Sequence, residues 1–152
     1  MKRNYLLTLF LIFILSALVV AFTIFSLSKP KGKFANLQVE GSKLKVEIAD
    51  TTEKVITGLS FRESLEENRG MYFVLGKREV ATFWMKDMHF PLDIIWIDSG
   101  KIIGIEKNAL PPSKGITPTF TSPAPVTNVL EVNAGWSEKN RIQENASVNL
   151  VK

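Results

Sequence analysis

An uncharged run near the N-terminus constrains this chain more than any other feature. Residues 5–27 contain no Asp, Glu, Lys or Arg and are dominated by Leu, Ile, Phe and Val. As a helix that rises about 1.5 Å per residue, the run reaches about 34 Å, enough to cross a bilayer core of about 30 Å. A charged residue at the centre of such a helix costs about 2.5 to 3.5 kcal/mol, so the absence of charge favours a membrane span. The sequence therefore predicts a transmembrane anchor over residues 5–28, with the lipid bilayer as its partner.

A cleaved signal peptide is the alternative for this segment. The apolar region of a signal peptide normally has about 7 to 15 residues, and this run is longer. The segment Ser26-Leu27-Ser28 offers a cleavage site, although Pro30 follows it closely. Lysines on both sides of the run leave its orientation undecided by the positive-inside rule. Because a very short tail before an apolar run acts like a signal sequence, we expect a single-pass cell-membrane protein whose domain lies outside the cytoplasm. The protein is secreted if the segment is cleaved.

The remainder of the chain has the length of one domain. We expect a short basic N-terminus over residues 1–4, a linker over residues 29–35 and a single domain over residues 36–152. Five of the 19 basic residues and none of the 15 acidic residues fall in residues 1–33, which leaves 14 basic and 15 acidic residues for the rest. The basic residues flank the apolar run, and the domain is nearly neutral. This balance gives no basic surface for phosphates, so we expect no nucleic-acid partner.

Several kinds of site are excluded by residue type. The chain has no cysteine, which excludes disulfides, thiolate chemistry and zinc sites built on cysteine. Its single histidine, His89, excludes a histidine-rich metal site within one chain. No glycine-rich phosphate loop or dinucleotide fingerprint is present. We therefore expect neither a metal ion nor a cofactor.

The alternation of apolar and charged residues predicts mostly strands. In residues 43–49, Leu44, Val46 and Ile48 alternate with charged residues, which is typical of a half-buried strand. Thr51 or Thr52 offers a helix N-cap, and Gly58 can end that helix. The full prediction has strands at residues 36–40, 43–49, 71–75, 81–86, 93–98, 101–107, 127–133 and 146–151, helices before Gly58 and at residues 135–140, and a proline-rich loop over residues 108–125.

These elements predict an α+β fold with antiparallel neighbours. We expect a small β-rich, barrel-like curled sheet with two short helices, preceded by one N-terminal transmembrane helix. The segment over residues 82–98 stands at its centre, with two strands joined by a polar connection. If these strands pair as a hairpin around residues 87–91, their inner ends come close.

Five segments, in order, resemble one protein family. They are Gly58-Leu59-Ser60-Phe61-Arg62-Glu63-Ser64-Leu65, Gly70-Met71-Tyr72-Phe73, Phe83-Trp84-Met85-Lys86, Pro91-Leu92-Asp93-Ile94 and Val129-Leu130-Glu131-Val132-Asn133-Ala134-Gly135. Together they are similar to domain-of-unknown-function family 192, a set of exported or membrane-tethered prokaryotic proteins, over about residues 40–151. The resemblance implies a compact β-rich fold and no established activity. Two departures stand out: Glu144-Asn145-Ala146 occupies the place of a Gly-Asp turn, and the proline-rich loop lacks the cysteines of some members.

Five residues form the predicted ligand-binding site: Arg62, Trp84, Lys86, Asp93 and Glu131. If the hairpin forms, Lys86 and Asp93 meet, either as a structural salt bridge or as part of a ligand site. Arg62 offers a planar fork for a carboxylate or phosphate, or a bridge to Glu131 or Asp93. Glu131 faces either solvent or a polar pocket, and Trp84 is the tryptophan best placed for exposure, where it suits a sugar or a partner protein.

Three functional hypotheses follow. The first is a membrane-tethered extracytoplasmic binding or scaffold module at the cell envelope, which recognises an envelope glycan or a protein. The second is a hydrolase of envelope polymers, which needs the weak catalytic candidates Asp93 and Glu131 about 5 to 10 Å apart across an open cleft. The third is a structural partner of another membrane protein. The sequence leaves enzymatic activity uncertain and favours a protein that is not an enzyme.

Overall fold

The computed structural model describes residues 12–17 and 32–151. Residues 12–17 are helical and their side chains are exposed. The predicted anchor over residues 5–28 otherwise lies outside the described residues. Within the described ranges, no helix has the length and apolar character needed to cross a membrane. Lys33–Lys152 forms a compact unit of its own, and the candidate site lies within it.

The described part of this unit contains nine strands and two short helices. In chain order they are β1 (Phe34–Val39), β2 (Ser42–Ala49), α1 (Thr52–Thr57), β3 (Arg69–Glu79), β4 (Thr82–Trp84), β5 (Leu92–Asp98), β6 (Lys101–Ala109), β7 (Thr119–Thr121), β8 (Val126–Asn133), α2 (Trp136–Lys139) and β9 (Val148–Val151).

Seven strands form one curled sheet in the order β6-β5-β8-β3-β2-β1-β9. The two ends of this sheet approach each other near the start of β6. The Ile102 amide donates to the Ala146 carbonyl oxygen at 3.0 Å, and the Val148 amide donates to the Gly100 carbonyl oxygen at 2.9 Å. These bonds bring the segment that leads into β9 against β6. The predicted β-rich curled sheet with few and short helices is therefore confirmed.

The curled sheet separates two apolar clusters. The inner cluster lies within the curl and includes Leu37, Ile95, Leu130 and Trp136. The second cluster lies on the other face, where the segments around β4 and β7 and the loop after α1 cover it. Its members are Ala49, Leu59, Met71, Phe73, Ala81, Met85, Met88, Leu92, Ile94, Trp96, Ala109, Val126 and Val129. Because the central strands are buried on both faces, they carry nearly continuous apolar runs.

Helix α1 has the ends that its sequence predicts. The Thr51 hydroxyl accepts from the Lys54 amide at 3.4 Å, as an N-cap does. At the other end, the Gly58 amide donates to the Lys54 carbonyl oxygen at 2.8 Å. Gly58 has φ = 52°, a left-handed backbone conformation that favours glycine. The chain turns sharply here and enters the loop that covers the outer face of the sheet.

The two strands of residues 82–98 do not pair as a hairpin. β4 pairs with β7, which comes from the proline-rich loop, in a separate two-stranded sheet. β5 instead lies between β6 and β8. Phe83 of β4 opposes Phe120 in that small sheet and packs edge-on against Phe73, with ring centres 4.9 Å apart. The aromatic contacts hold β4 over the outer face of the main sheet, so it does not continue into β5.

One pair of neighbouring strands also departs from the antiparallel prediction. β2 and β3 run parallel, with Val46 opposite Gly70 and Ile48 opposite Tyr72. Parallel neighbours need a crossover connection, and here α1 and the following loop provide it. This crossover places the loop on the outer face of the sheet.

Candidate functional site

A cleft of about 200 Å³ opens on the outer face of the domain. Helix α1 and the loop after it form one wall, β4 forms another, and strands β3 and β8 form the floor. The lining residues are Val55, Ile56, Thr57, Gly58, Leu59, Ser60, Phe73, Thr82, Phe83, Trp84, Met88 and Glu131. Among the described residues, apolar side chains dominate this lining and Glu131 is the single ionisable member.

The position of Glu131 follows from the alternation of β8. Leu130 and Val132 belong to the inner cluster, whereas Val129 belongs to the outer one, so Glu131 points to the outer face. Glu131 opposes Met71 on one neighbouring strand and Ile94 on the other. It therefore lies in the middle of the sheet, where its side chain is only 4% exposed.

The loop at Gly58 covers the Glu131 carboxyl. A Cβ atom built on Gly58 would stand 3.9 Å from Glu131 Oε2 and 3.5 Å from the Phe73 ring. These distances are ordinary van der Waals contacts, so it is the positive φ of 52° that favours glycine at this point. The carboxyl sits between the sheet and the turn, at the base of the cleft.

The electrostatics of Glu131 are unusual for a surface cleft. No hydrogen bond between described residues reaches its carboxyl oxygens, and no side-chain oxygen sealed from solvent lacks a partner there, so the carboxyl keeps contact with the open cleft. Burial disfavours the charged form and raises the pKa of Glu131 to about 8, while the positive charge of Arg62 acts in the opposite direction. Most Glu131 carboxyls are therefore protonated at pH 7.

Arg62 affects Glu131 through its charge and not through a direct bond. Its guanidinium binds the Glu47 carboxylate, with Nη2 and Oε2 2.8 Å apart. Together Arg62 and Glu47 line a neighbouring depression beside Phe34. The predicted bridge from Arg62 to Glu131 or Asp93 is replaced by this pair.

Trp84 and Lys86 lie at the mouth of the cleft. Trp84 is 48% exposed, and the Lys86 ammonium stands 5.8 Å from the centre of a Trp84 ring. Two hydrogen bonds join this segment to the loop after α1: the Ser60 hydroxyl donates to the Lys86 carbonyl oxygen at 2.8 Å, and the Phe61 amide donates to the Asp87 carbonyl oxygen at 2.9 Å. The two segments thus form one continuous rim.

Asp93 lies apart from the other predicted site residues. It opposes Val132 across the strand pair and so points to the face opposite Glu131. Its carboxylate accepts from the amides of Asn108, Gly135 and Ser137 at 3.0, 3.1 and 2.9 Å, and from the Ser137 hydroxyl at 2.5 Å. These bonds tie β5 to the start of α2, which gives Asp93 a structural role.

Two hypotheses about Asp93 are therefore wrong. The ion pairs of the described residues do not include one between Lys86 and Asp93, because β4 does not pair with β5 and Lys86 lies exposed at the cleft mouth. The paired carboxylates are not formed either, since Asp93 and Glu131 occupy opposite faces of one sheet. The cleft brings together Trp84 and Glu131, Lys86 lies beside Trp84 at its mouth, and the charge of Arg62 acts on Glu131.

Comparison with known proteins then gives the family. A family model for domain-of-unknown-function family 192, described as an uncharacterised ACR family, matches residues 35–150. The chain belongs to this family. No curated protein matches the chain.

Two solved structures of related size share the fold of this family member. One is a candidate transcription regulator from Sinorhizobium meliloti 1021, which is 27% identical, with a TM-score of 0.76 over 81% of this chain and 98% of that one. The other is a protein of unknown function from Novosphingobium aromaticivorans DSM 12444, which is 28% identical, with a TM-score of 0.72 over 80% of this chain and 89% of that one.

Four of the five segments that resemble domain-of-unknown-function family 192 contribute to the cleft lining. Gly58, Phe73, Phe83 and Met88 were absent from the predicted site, although three of them stand in those segments. Their proximity arises from the β2–β3 crossover and the β4–β7 pair, neither of which the sequence predicted. The sequence signal that points to them is the series of segments itself. Within the described residues, no cluster of three or more histidine, cysteine, aspartate or glutamate side chains is arranged to hold a metal ion.

Proposed function

We propose that this protein is a binding module whose ligand site is the cleft above Glu131. One observation supports the proposal most directly: a carboxyl that is 4% exposed lies at the base of an open, apolar cleft without a hydrogen-bond partner among the described residues. No side-chain oxygen of the described residues is both sealed from solvent and without a partner, so the Glu131 carboxyl faces the open cleft. A ligand that enters the cleft can therefore bond Glu131 directly.

The hydrolase hypothesis is not part of the proposal. Glycoside hydrolysis with two carboxyl groups needs both of them beside one bond, about 5 to 10 Å apart. Of the carboxyl groups in the described part of the chain, Glu131 alone lines the cleft, and the Asp93 carboxylate accepts four hydrogen bonds on the other face of the sheet. The regulatory role named for the S. meliloti protein is not proposed either, since residues 34–152 have balanced charge.

The proposal places this module at the outer face of the cell membrane. The support is the uncharged run over residues 5–27 and the lysines that flank it. We expect alkaline phosphatase fused after residue 152 to be active, because this enzyme folds only outside the reducing cytoplasm. The mass of the purified chain then separates an anchor over residues 5–28 from a cleaved signal peptide. An inactive fusion of normal abundance contradicts this location.

The cleft proposal is tested by ligand screening on the full chain in lipid nanodiscs. Met88 lines the cleft, so its ¹³C-labelled methyl group, assigned with M88L, reports on occupancy. The library contains small apolar fragments that carry an ammonium, hydroxyl, amide or carboxylate group. Empty nanodiscs control for partition into lipid. We expect a subset of fragments to shift the Met88 signal in a saturable manner, and a library without any such fragment contradicts the proposal.

Two matched variants locate the binding. Trp84 and Val80 are both apolar and exposed, at 48% and 54%, but Val80 does not line the cleft. We expect W84A to weaken fragment binding by about tenfold, or about 1.4 kcal/mol, which is within the range of aromatic contacts. V80A is expected to bind as the unchanged protein does. Equal effects of the two substitutions contradict a site at this cleft.

A second candidate function is the recruitment of another membrane protein. Phe61, on the rim of the cleft, is 70% exposed and has φ = 63°, a left-handed conformation that is costly for an aromatic residue. A photo-reactive amino acid at position 61 is expected to give a discrete crosslinked product in cells. The same amino acid at the exposed position of Lys43, on β2, is expected to give none. Equal products at both positions contradict a partner at this rim.

A further inference from the structure

We infer that the ligand of this cleft carries an organic ammonium group, which pairs with Glu131 while its apolar part packs against the aromatic wall. This inference rests on the proposed binding function and names the chemical class of its ligand. Three features support it: the lack of a donor for the carboxyl, the aromatic lining, and the arrangement of charges around the cleft.

The first feature is the missing donor. The hydroxyl groups in the lining belong to Thr57, Ser60 and Thr82, and none of them bonds Glu131. The Ser60 hydroxyl already donates to the Lys86 carbonyl oxygen. A ligand ammonium supplies both N–H donors and a compensating charge, which a buried carboxylate requires. A ligand hydroxyl supplies a donor without the charge.

The second feature is the aromatic lining. Phe73, Phe83 and Trp84 all border the cleft, and the Phe73 and Phe83 rings meet edge-on. Aromatic rings attract cations, and aromatic groups beside a carboxylate recur in sites for organic ammonium ions. The Lys86 ammonium lies 5.8 Å from a Trp84 ring centre, so the rim already holds an ammonium of the chain itself.

The third feature is the distribution of charge around Glu131. From the strands on either side, Met71 and Ile94 oppose it, and neither carries a charge. The segments that form the cleft walls contribute no ionisable lining residue. Arg62, in the loop after α1, is paired with Glu47, and Lys86 lies at the mouth. A cation in the cleft therefore meets one carboxyl group and no unpaired cation at the floor.

Binding of an ammonium group must release a proton. In the empty cleft, Glu131 is protonated at neutral pH; in the complex, its carboxylate pairs with the ammonium and the proton leaves to solvent. The affinity is therefore expected to rise by about tenfold per pH unit up to the pKa of Glu131 and to level off above it. A neutral ligand that accepts a hydrogen bond from the protonated acid instead binds less tightly as the pH rises above the pKa of Glu131.

The test compares benzylammonium with benzyl alcohol, which has nearly the same shape and no charge. Both are titrated into the full chain in nanodiscs at pH 6, 7 and 8 and followed by the Met88 methyl signal. At pH 8, we expect benzylammonium to bind at least tenfold more tightly than benzyl alcohol. The affinity for benzylammonium is expected to rise from pH 6 to pH 8. E131Q, whose amide copies the shape of the protonated acid, is expected to abolish both the preference and the pH dependence. E144Q, at an exposed position, is the matched control and is expected to change neither.

The outcomes separate this inference from the proposed function. Benzyl alcohol that binds as tightly as benzylammonium, or ammonium binding that E131Q leaves unchanged, overturns the ammonium inference and leaves a binding cleft. The inference also fails alone if neither probe shifts Met88 while other library fragments do. If no fragment shifts the Met88 methyl signal, both the ammonium inference and the proposed binding function are contradicted.

Lys86 provides an independent check. Its positive charge at the mouth of the cleft repels a cation bound at Glu131, so K86M is expected to strengthen benzylammonium binding severalfold. Benzyl alcohol, which carries no charge, is expected to bind K86M and the unchanged protein similarly. Weaker benzylammonium binding by K86M than by the unchanged protein contradicts a cation bound in this cleft.

Discussion

Replacement of Glu131 by glutamine is expected to stabilise the protein increasingly as the pH rises. The folded state keeps its proton up to a pKa of about 8, whereas an exposed glutamate in the unfolded chain loses it near 4.5. Between these values the folded state binds one proton more than the unfolded state, so the free energy of unfolding falls as the pH rises. The stabilising contribution of Glu131 to the free energy of unfolding is fully present below pH 4.5 and is lost as the pH rises to about 8.

The size of this effect follows from the pKa difference. One pKa unit corresponds to about 1.4 kcal/mol, so the full window amounts to about 5 kcal/mol. Glutamine does not titrate and has nearly the shape of the protonated acid. The difference in unfolding free energy, E131Q minus unchanged protein, is therefore expected to rise by about 1.4 kcal/mol per pH unit between pH 5 and 8 and to level off above.

Urea denaturation of the full chain in a non-ionic detergent measures this difference. Fluorescence of the buried Trp96 and Trp136 follows unfolding, and titrations at pH 5, 6, 7, 8 and 9 cover the window. The other carboxyl groups contribute equally to both proteins and cancel in the difference. E144Q, with an exposed side chain, is expected to follow the unchanged protein at every pH. A difference for E131Q that stays constant, or falls with pH, refutes the assignment of a buried protonated acid.

Further predictions concern the neighbours of Glu131 and the other candidates. R62A is expected to raise the pKa of Glu131 further, since the Arg62 charge lowers it, and an NMR titration of the carboxyl carbon measures the shift. D93N is expected to lower the unfolding free energy by about 2 to 5 kcal/mol in urea denaturation, because an amide nitrogen replaces an acceptor oxygen, and to leave benzylammonium affinity unchanged. W84A, at an exposed position, is expected to lower the free energy of unfolding by less than about 1 kcal/mol. By the same assay, W96A, at a buried position, is expected to lower it by about 3 to 5 kcal/mol.

Local chemistry made several elements predictable. The alternation in residues 43–49 corresponds to β2, and Thr51 and Gly58 mark the two ends of α1. At the turn between β5 and β6, Ser99 and Gly100 have positive φ values of 50° and 73°, which is typical of a tight hairpin turn that contains glycine. These features depend on residues close in sequence, so pattern alone suffices.

Long-range pairing was not predictable in the same way. The strand around Trp84 and that around Asp93 are neighbours in sequence, and the usual tendency of such strands to pair favoured a hairpin. The aromatic contact between Phe83 and Phe73 joins β4 to the outer face instead. A contact of this kind depends on the packing of the whole domain, which periodicity does not describe.

The orientation of Glu131 depends on register. Glu131 stands between Leu130 and Val132, and the sequence permitted either solvent or a pocket for its side chain. A shift of one residue in β8 would move it to the opposite face, into the inner cluster. The pairing of β8 with β3 and β5 fixes this choice, and the loop at Gly58 then buries the carboxyl.

The central claim is that Glu131 is a protonated acid at the base of a ligand cleft. A ¹³C NMR titration of the glutamate side-chain carboxyl carbons, with the Glu131 signal identified by its loss in E131Q, tests this claim directly. We predict a midpoint near pH 8 for the free protein and a lower midpoint when benzylammonium saturates the cleft. A midpoint near 4.5 that benzylammonium leaves unchanged would contradict the account.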